Sequence, residues 1–465
     1  MVHPKEILDK LSPLGRVYLP TASYAEMMQW SLPADAFEKY EDFENILKQK
    51  NLFEEYNVFV RGGFWRNFLS KYPESNQLHK KMLWVKEKIG KIKASSKTQK
   101  DKLEQAQDYL WKGQCNCPYW HGVFGGLYMP HLRSAIYENL IQAEKSLDSA
   151  AFADKNRIDC NVFDFDGDGN DEVIIESSKL NLYFYPYAGG AIYELDYKPK
   201  SFNLLDILNR RREGYHRKLL QLKENDNKNN KVESIHDIFT AKEEGLDRLL
   251  NYDWYRHGSL IDHFLKDGTK LEDFSKCKYA EQGDFVNQLY AHKIEKRKDG
   301  IILTLKRDGS VWVGENRILI SVEKKIKISP DSSELEIAYS LTNNSDQETE
   351  LWFGIEFSFG MLSGEDVKKY YYISGKNLED NKLNSFGQIE NVKEFGIKDE
   401  RLKMDINLKV DKPASLWRFP IQTISLSESG FEKNYQASIL FPNWRMKLLP
   451  KESQDINILN KITDL

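Results

Sequence analysis

Apolar positions fall three or four residues apart through the first third of the chain, and every second residue through most of the rest. Leu78, Met82, Val85, Ile89 and Ile92 recur at spacings of four, three, four and three, which sets them on one helix face. The runs ADAFEKYEDFENILKQK (34–50) and KTQKDKLEQAQDYLWK (97–112) are amphipathic in the same way. Leu132, Ile136, Leu140, Ala143 and Leu147 mark a further helix from Pro130 towards Ser149. Ahead of these, GRVYLPTAS (15–23) reads as a short strand entering a turn. The period changes near Asp159. Ile318, Ile320, Val322, Ile326 and Ile328 alternate with polar residues, as do Leu335, Ile337, Tyr339 and Leu341, and then Leu351, Phe353, Ile355, Phe357 and Phe359. The runs LWRFPIQTISL and ASILFPNWRMKLL carry the pattern towards the C-terminus. Period two over many segments with polar turns predicts an antiparallel sandwich. The polar run KENDNKNNKVE (223–233) reads as a solvated loop.

The expected fold class is therefore α+β and multidomain. A helical domain over 1–155 precedes a large antiparallel β-sandwich over 156–465, each with its own core. Charge narrows the partners. A formal net charge of −4 and a pI near 6.2 favour neither nucleic acid nor an anionic membrane. No apolar run reaches membrane-spanning length, and the polar, helical start MVHPKEILDKL is unlike a signal peptide, so the expected location is cytoplasmic. Four cysteines, at 115, 117, 160 and 277, make no disulfide framework.

One stretch is compositionally apart: GQCNCPYWHGVFGGLYMPHLR, at 113–133. It joins two helical patterns and gathers glycines, prolines, aromatics, Cys115, Cys117, His121 and His131. Cys115 and Cys117 lack the spacing of a zinc or redox pair, and no third ligand accompanies the histidines. Two readings stand side by side: a ligand-contacting loop, and a tight loop of packed aromatics with His121 bonded to backbone. Two further aromatic–polar stretches support the first. RGGFWRNFLSKYPESNQLHKKML (61–83) offers Arg61, Trp65, Asn67, Glu74, Asn76 and His79, with Gly62 and Gly63 permitting close backbone approach. YLPTASYAEMMQWSLP (18–33) offers Tyr24, Glu26 and Trp30.

A separate motif, DFDGDGNDE, begins at Asp164. Asp164, Asp166, Asp168 and Glu172 occupy its first, third, fifth and ninth positions, with Gly167 and Gly169 allowing the turn. Alternating hard oxygen ligands in a tight loop suit Ca²⁺, and clustered carboxylates repel without a cation. The twelfth position is Ile175, so this is a hairpin loop and not an EF-hand. A plain Gly/Asp turn is the competing reading. No organic cofactor is expected. In NYDWYRHGSLIDHF, the residues Asp253, Trp254, Arg256, His257, Asp262 and His263 permit either sugar contact or packing against a neighbouring domain.

The first three stretches together resemble glycoside hydrolase family 57, in particular its 4-α-glucanotransferases and related α-amylases. The family's fifth motif typically reads AQCNDAYWHG. Gln114, Cys115, Asn116, Tyr119, Trp120, His121 and Gly122 match it, while Gly113, Cys117 and Pro118 depart from it. YAGGAIYELDY looks like the opening of a mutarotase-like β-domain, which sets the expected type of the sandwich. The resemblance implies substrate contacts at Trp120, His121, Tyr119, Asn116, Trp65, Arg61 and Trp30. It implies an α-glucan as partner, whether maltooligosaccharide, starch or glycogen. In the family, a Glu nucleophile and an Asp acid/base lie on an N-terminal barrel, and retention needs two carboxyls roughly 5–5.5 Å apart. No stretch of this chain matches those motifs, and neither Glu26 nor Glu74 is assigned the role, so no catalytic residue is named.

Three functions follow as expectations. The chain is a component of such a glucanotransferase or amylase, inactive alone, with the barrel on another chain or further upstream. It is instead a non-catalytic glucan-binding or regulatory relative, or an interaction scaffold. Transfer and hydrolysis stay undivided. Trp30, Trp65, Tyr119, Trp120 and His121 are expected on one concave, partly exposed surface that binds a barrel-bearing partner, a glucan or a second copy.

Overall fold

The computed structural model describes the 465-residue chain except for residues 1–2, 20–22, 123–124, 153–155, 227–242, 244 and 428–429. It divides into two compact units, Met1–Lys71 and Tyr72–Leu465.

The first unit is helical: α1 (Pro4–Lys10), α2 (Ala25–Trp30), α3 (Ala34–Gln49), α4 (Phe53–Tyr56) and α5 (Trp65–Lys71). The amphipathic run at 34–50 is α3, one residue shorter than its pattern. The strand expected at 15–23 is absent from the described residues there, 15–19 and 23, which are irregular. Val17, Tyr18 and Leu19 have the composition of a strand, but no neighbouring strand takes up their backbone bonds, and all three are exposed. Gly62 and Gly63 do serve close approach, and what they approach is the chain itself. A Cβ on Gly62 would lie 2.1 Å from the Met28 carbonyl oxygen, and the Gly63 N–H donates to that oxygen at 2.8 Å.

The second unit begins with α6 (Pro73–Lys91), α7 (Lys97–Lys112) and α8 (Pro130–Phe152), where the three-four spacing places them. Ser96 caps α7, its hydroxyl accepting the Gln99 N–H. Strands β1 (Ile158–Phe163), β2 (Glu172–Ser177), β3 (Leu180–Tyr185), β4 (Ala191–Tyr197) and β5 (Phe202–Asn203) follow as a five-stranded antiparallel sheet in chain order. Val173, Ile175, Leu180, Leu182, Phe184 and Leu195 turn one face of it into the main hydrophobic core. The alternate residues Glu176, Asn181, Tyr183, Glu194 and Asp196 meet the helices.

That second contact is ionic and buried. Lys81 of α6 bonds Glu194, Asp196 at 2.6 Å and Glu144 of α8 at 3.3 Å. Lys88 bonds Glu144 at 2.7 Å and also reaches Glu176. Buried charges persist only when paired and hydrogen-bonded, so the cluster fixes how the helices sit on the sheet. Two lysines face four carboxylates. Burial, with the Asp196 charge added to it and Lys81 opposing, pushes the Glu194 carboxyl up to about 8. Burial also works against Glu144, yet Lys81 and Lys88 hold it down at about 2.

After α9 (His216–Asp226), strand β6 (Ile261–Phe264) and the short helix α10 (Leu271–Ser275), the rest of the unit is antiparallel. It comprises β7 (Ala291–Arg297), β8 (Gly300–Val313), β9 (Asn316–Ile328), β10 (Glu334–Asn343), β11 (Thr349–Phe359), β12 (Lys369–Ile373), β13 (Gly387–Asp399), β14 (Met404–Ser427), β15 (Gly430–Leu448) and β16 (Ser453–Asp464). The order is β6-β11-β15-β14-β16-β10-β9-β8-β7, with β12 and β13 off β14. Tyr339 on β10 and Phe353 on β11, far apart in that order, have ring centroids 5.9 Å apart. The sheet therefore folds over on itself into the expected sandwich, closed where residues 281–283 bridge Leu265 to Val311. The change from helix to strand falls between Phe152 and Ile158, while helices α6–α8 belong to the same compact unit as the sandwich. Of the run at 223–233, residues up to Asp226 close α9 and the rest lie outside the described residues.

Candidate functional site

The motif loop leaves α7 at Gly113 and enters α8 at Pro130, through short turns at Cys117–Tyr119 and Gly126–Tyr128. Its backbone wraps the Trp120 carbonyl, which accepts the Leu127 N–H at 2.9 Å. Gly126 has φ +45°, and a Cβ there would lie 2.2 Å from that same carbonyl oxygen. The Tyr119 hydroxyl donates to the Gly113 carbonyl at 2.5 Å, and Ser75 of α6 donates to the Tyr119 carbonyl.

Tyr119, Trp120 and His121 are all buried; Trp120 is 8 % exposed and His121 has no exposed surface. This corrects the expectation of a partly exposed aromatic face. His121 Nδ1 lies 3.2 Å from the Gly125 carbonyl, which can only accept, so Nδ1 carries a proton. In the neutral ring Nε2 then accepts the Tyr215 hydroxyl at 3.1 Å. Tyr72 and Tyr128 donate to Glu213 Oε1 at 2.7 and 2.8 Å. Arg211 lies over the Tyr72 ring, 4.7 Å from its centroid, and donates to both Glu74 oxygens at 2.7 Å. Glu74 also accepts the Asn209 N–H at 3.0 Å. Burial alone would raise its pKa; Arg211 and Arg256 bring it below the ordinary carboxylate value. Residues 209–216 were not singled out in the sequence, although they supply Arg211, Glu213, Tyr215 and His216 to this cluster. Their only local signal is the density of ionisable groups in NRRREGYH.

The other expected contacts lie on different elements. Asn116 is exposed on the outside of the loop, next to exposed Cys115 and Cys117. Asn76 donates to the Asp166 carbonyl at 2.8 Å, so it braces the acidic loop. Trp30, Arg61 and Trp65 belong to the first unit. There Trp30 is buried, Arg61 is exposed, and Trp65 is half-buried and stacked on Phe68 with centroids 5.7 Å apart.

The acidic loop joins β1 to β2 as a hairpin, with Phe163 opposite Glu172. Asp164 Oδ1 accepts the Gly167 and Asp168 N–H groups at 2.7 and 3.0 Å, and its Oδ2 accepts Gly169 at 3.1 Å. Gly167 and Gly169 have φ +78° and +94°. One oxygen each from Asp164, Asp166 and Glu172 fall within 4.8 Å of one another. Asp168 is not in that trio; its Oδ1 accepts from Asn170 N–H and Nδ2 at 2.8 and 3.0 Å. Glu172 Oε2 accepts the Phe165 N–H at 2.6 Å, while Oε1 is buried and has no partner among the described residues. Burial first, and the Asp166 charge second, push the Glu172 carboxyl up to about 8. Hard oxygen donors, an unsatisfied buried one and mutual repulsion all fit a bound Ca²⁺.

The run at 251–264 is buried from His257 onward, while Tyr252 and Trp254 are exposed. His257 Nδ1 lies 2.8 Å from Glu356 and its Nε2 3.3 Å from Asp253. Burial opposes its charge, but those two carboxylates raise its pKa well above the ordinary value. Asp253, His257 and Cys277 come close enough to hold a metal. The Arg210 guanidinium already occupies the space, donating to Asp253 at 2.8 Å and to Cys277 at 3.7 Å. The positive charge there is supplied by the chain.

Comparison with known proteins agrees with this architecture. Residues 63–147 match the middle domain, and residues 164–458 the C-terminal domain, of the α-amylase/4-α-glucanotransferase family. The chain is 39% identical over 441 residues to α-amylase 1 of Dictyoglomus thermophilum, covering 95% of this chain and 60% of that protein. It is 36% identical over 440 residues to the 4-α-glucanotransferase of Thermococcus litoralis, covering 94% of this chain and 60% of the relative. The crystal structure of 4-α-glucanotransferase from that organism superposes with a TM-score of 0.75 at 33% identity, over 100% of this chain and 61% of the other. The chain thus spans about three fifths of the length of these relatives.

Proposed function

The chain belongs to the α-amylase/4-α-glucanotransferase family, and we propose that it is the middle and C-terminal portion of a glycoside hydrolase family 57 enzyme acting on α-1,4-glucans. The observation that carries this is the placement of two consecutive family domains along the chain, at 63–147 and 164–458. In this reading the retaining carboxyl pair sits on a barrel in the part of the relatives that this chain does not span. Glu74 supports the division of labour: clamped by Arg211 and the Asn209 N–H, its carboxylate is not free to attack an anomeric carbon.

The apolar surface that a barrel would cover is not Trp120. In the first unit Leu8, Leu11, Leu14, Val17, Tyr18 and Leu19 are exposed, and α1 buries none of its residues. A run of large exposed apolar side chains marks an interaction surface. We assign it to the barrel, with self-association as the alternative. Among the described residues no helix is long and apolar enough to cross a membrane, and a cytoplasmic location is part of the proposal. So is a Ca²⁺ held by Asp164, Asp166 and Glu172. Bound there, the ion would balance the carboxylates of the loop that Asn76 ties to α6.

The test is disproportionation of maltoheptaose. The purified chain alone is expected to be inactive; joined in one polypeptide to the portion of the T. litoralis 4-α-glucanotransferase that precedes the matched region, it is expected to transfer. Robust transfer by the chain alone overturns the reading, and Glu26→Gln and Glu74→Gln then become the variants to make.

A further inference from the structure

Far along the chain from the motif loop, four segments of the sandwich end around one groove of about 500 Å³. They are the end of β6, the end of β8, the start of β11 and the end of β15, with Gln282 on the segment that closes the sandwich. Its floor is core: Phe264, Leu265, Val311 and Leu351 are buried. Its rim is not. Trp312 on β8 is 49 % exposed. Its backbone N–H is held by the Gln282 carbonyl at 2.8 Å, so the sheet fixes the main chain that carries the indole. Among the described residues no aromatic ring or cation packs face-on against it.

Trp352 on β11 and Arg445 on β15 line the same groove as a pair. The guanidinium lies over the indole, 4.1 Å from the ring centroid, and also bonds the Asp267 carboxylate. Trp352 Nε1 donates to Asn443 Oδ1 at 2.8 Å, which fixes its plane. Exposed Glu350 adds a carboxylate to the same groove. A Lys or Arg stretched over a tryptophan on a sheet surface is common cover; an exposed tryptophan lining the same groove without such cover is not accounted for by it. Carboxylates, a guanidinium, the ammonium groups of Lys266 and Lys447 and an amide around an open indole match the hydroxyl-rich surface of a neutral sugar. C–H faces of a pyranose lie on the ring, while vicinal hydroxyls both donate to Asp267 and Glu350 and accept from Arg445 and Gln282. Asp267 and Glu350 are set among Lys266, Arg445 and Lys447, a mixed lining that suits a neutral polar ligand, and a purely apolar one would strand six polar groups.

We propose that this groove is a second glucan-binding site, holding a short stretch of α-1,4-glucan on the sandwich with Trp312 as the stacking platform. The substrate class rests on the function proposed above; the location rests on the groove alone. A long glucan held here is kept at the enzyme between catalytic events, while a short maltooligosaccharide gains little from it.

Affinity electrophoresis of the full chain through glycogen-containing gels, with maltoheptaose calorimetry beside it, tests the site. The wild type is expected to be retarded. Trp312→Ala is expected to weaken binding by about tenfold or more, as for a stacking anchor. Trp312→Phe should be intermediate, and Trp111→Ala, another exposed tryptophan, should be unchanged. Asp267→Asn, on a fully surface-borne side chain, reads the hydroxyl contacts if Trp312→Ala proves unstable, and it too should weaken binding. Retardation that survives Trp312→Ala and Asp267→Asn overturns the groove and leaves the glucan reading standing. A wild type that is not retarded also overturns the groove, and the maltoheptaose transfer assay, which does not depend on it, then decides the glucan reading by itself. Equal retention on cellulose oligosaccharides would overturn the assignment to an α-1,4-glucan.

Discussion

The motif loop at 113–133 and the acidic loop at 164–172 both stand out in the sequence as concentrations of chemistry, and the structure treats them oppositely. In the first, each polar atom of Tyr119 and His121 named above has an internal partner and the aromatic groups are inside, although Arg211 Nη1 in the surrounding cluster is buried with no partner among the described residues. In the second, Glu172 brings a buried oxygen with no partner beside Asp164 and Asp166. A cluster whose hydrogen bonds close on themselves fixes a shape; one that leaves charge unbalanced asks for a ligand. Density of unusual residues does not separate the two, because it measures only how much chemistry is present.

The largest effect expected from this contrast is on the fold. Trp120→Ala should cost ~3–5 kcal/mol, the range for removing a buried Trp side chain, read as a large fall in melting temperature. Gly126→Ala should also destabilise, since its Cβ meets the Trp120 carbonyl at 2.2 Å. Loss of glucan affinity by Trp120→Ala with unchanged melting would return the loop to the class of contact sites.

A smaller effect concerns the ionic contact of α6 and α8 with the five-stranded sheet. Glu194 has its carboxyl raised to about 8 from an ordinary 4.5. Between those values the folded protein binds more protons than the unfolded chain, so this group's contribution to stability falls as pH rises through that window. Glu194→Gln should flatten the dependence of melting temperature on pH between 4.5 and 8 relative to wild type. An unchanged profile would mean that Lys81 holds Glu194 ionised throughout.

Much of this fold can be read from spacing, and much of the site cannot. The one-face pattern of Leu78, Met82 and Val85 leads straight to α6, and the alternation from Leu335 to Leu341 to β10. Lys81 lies three residues after Leu78 and four before Val85, beside the same face, and has no exposed surface; spacing does not explain a buried charge there, because its carboxylate partners lie more than sixty residues on in sequence. Lys324 interrupts the inward row Ile320, Val322, Ile326 and is equally buried, paired to Asp262 at 3.0 Å. Strand period alone places it inside, but only the tertiary partner explains why a charge is tolerated there. Asp164, Asp166 and Glu172 come together as their spacing suggests because they are local in sequence, while Asp168 turns to Asn170. The motif loop was misjudged as exposed because Tyr72, Glu213 and Tyr215, which enclose His121, come from other parts of the chain.

The smallest effect tests the outer side of the motif loop. Cys117→Asp restores the residue usual in the resembled motif at an exposed position. It should move stability by no more than ~0.5 kcal/mol, the usual span for surface substitutions. A larger change in the chemical-denaturation midpoint would show that position 117 has a partner.

The contrast is tested most directly by calorimetric titration of metal-free protein with Ca²⁺, in the wild type, Asp166→Ala and Trp120→Phe. The account predicts one saturable site in the wild type and in Trp120→Phe, and none in Asp166→Ala. It also predicts that saturation stabilises the wild type by ~2.7 kcal/mol at a hundred times the dissociation constant, read as a rise in melting temperature. No heat in the wild type, or equal binding in Asp166→Ala, would show that the acidic loop is as self-satisfied as the motif loop and would contradict the account.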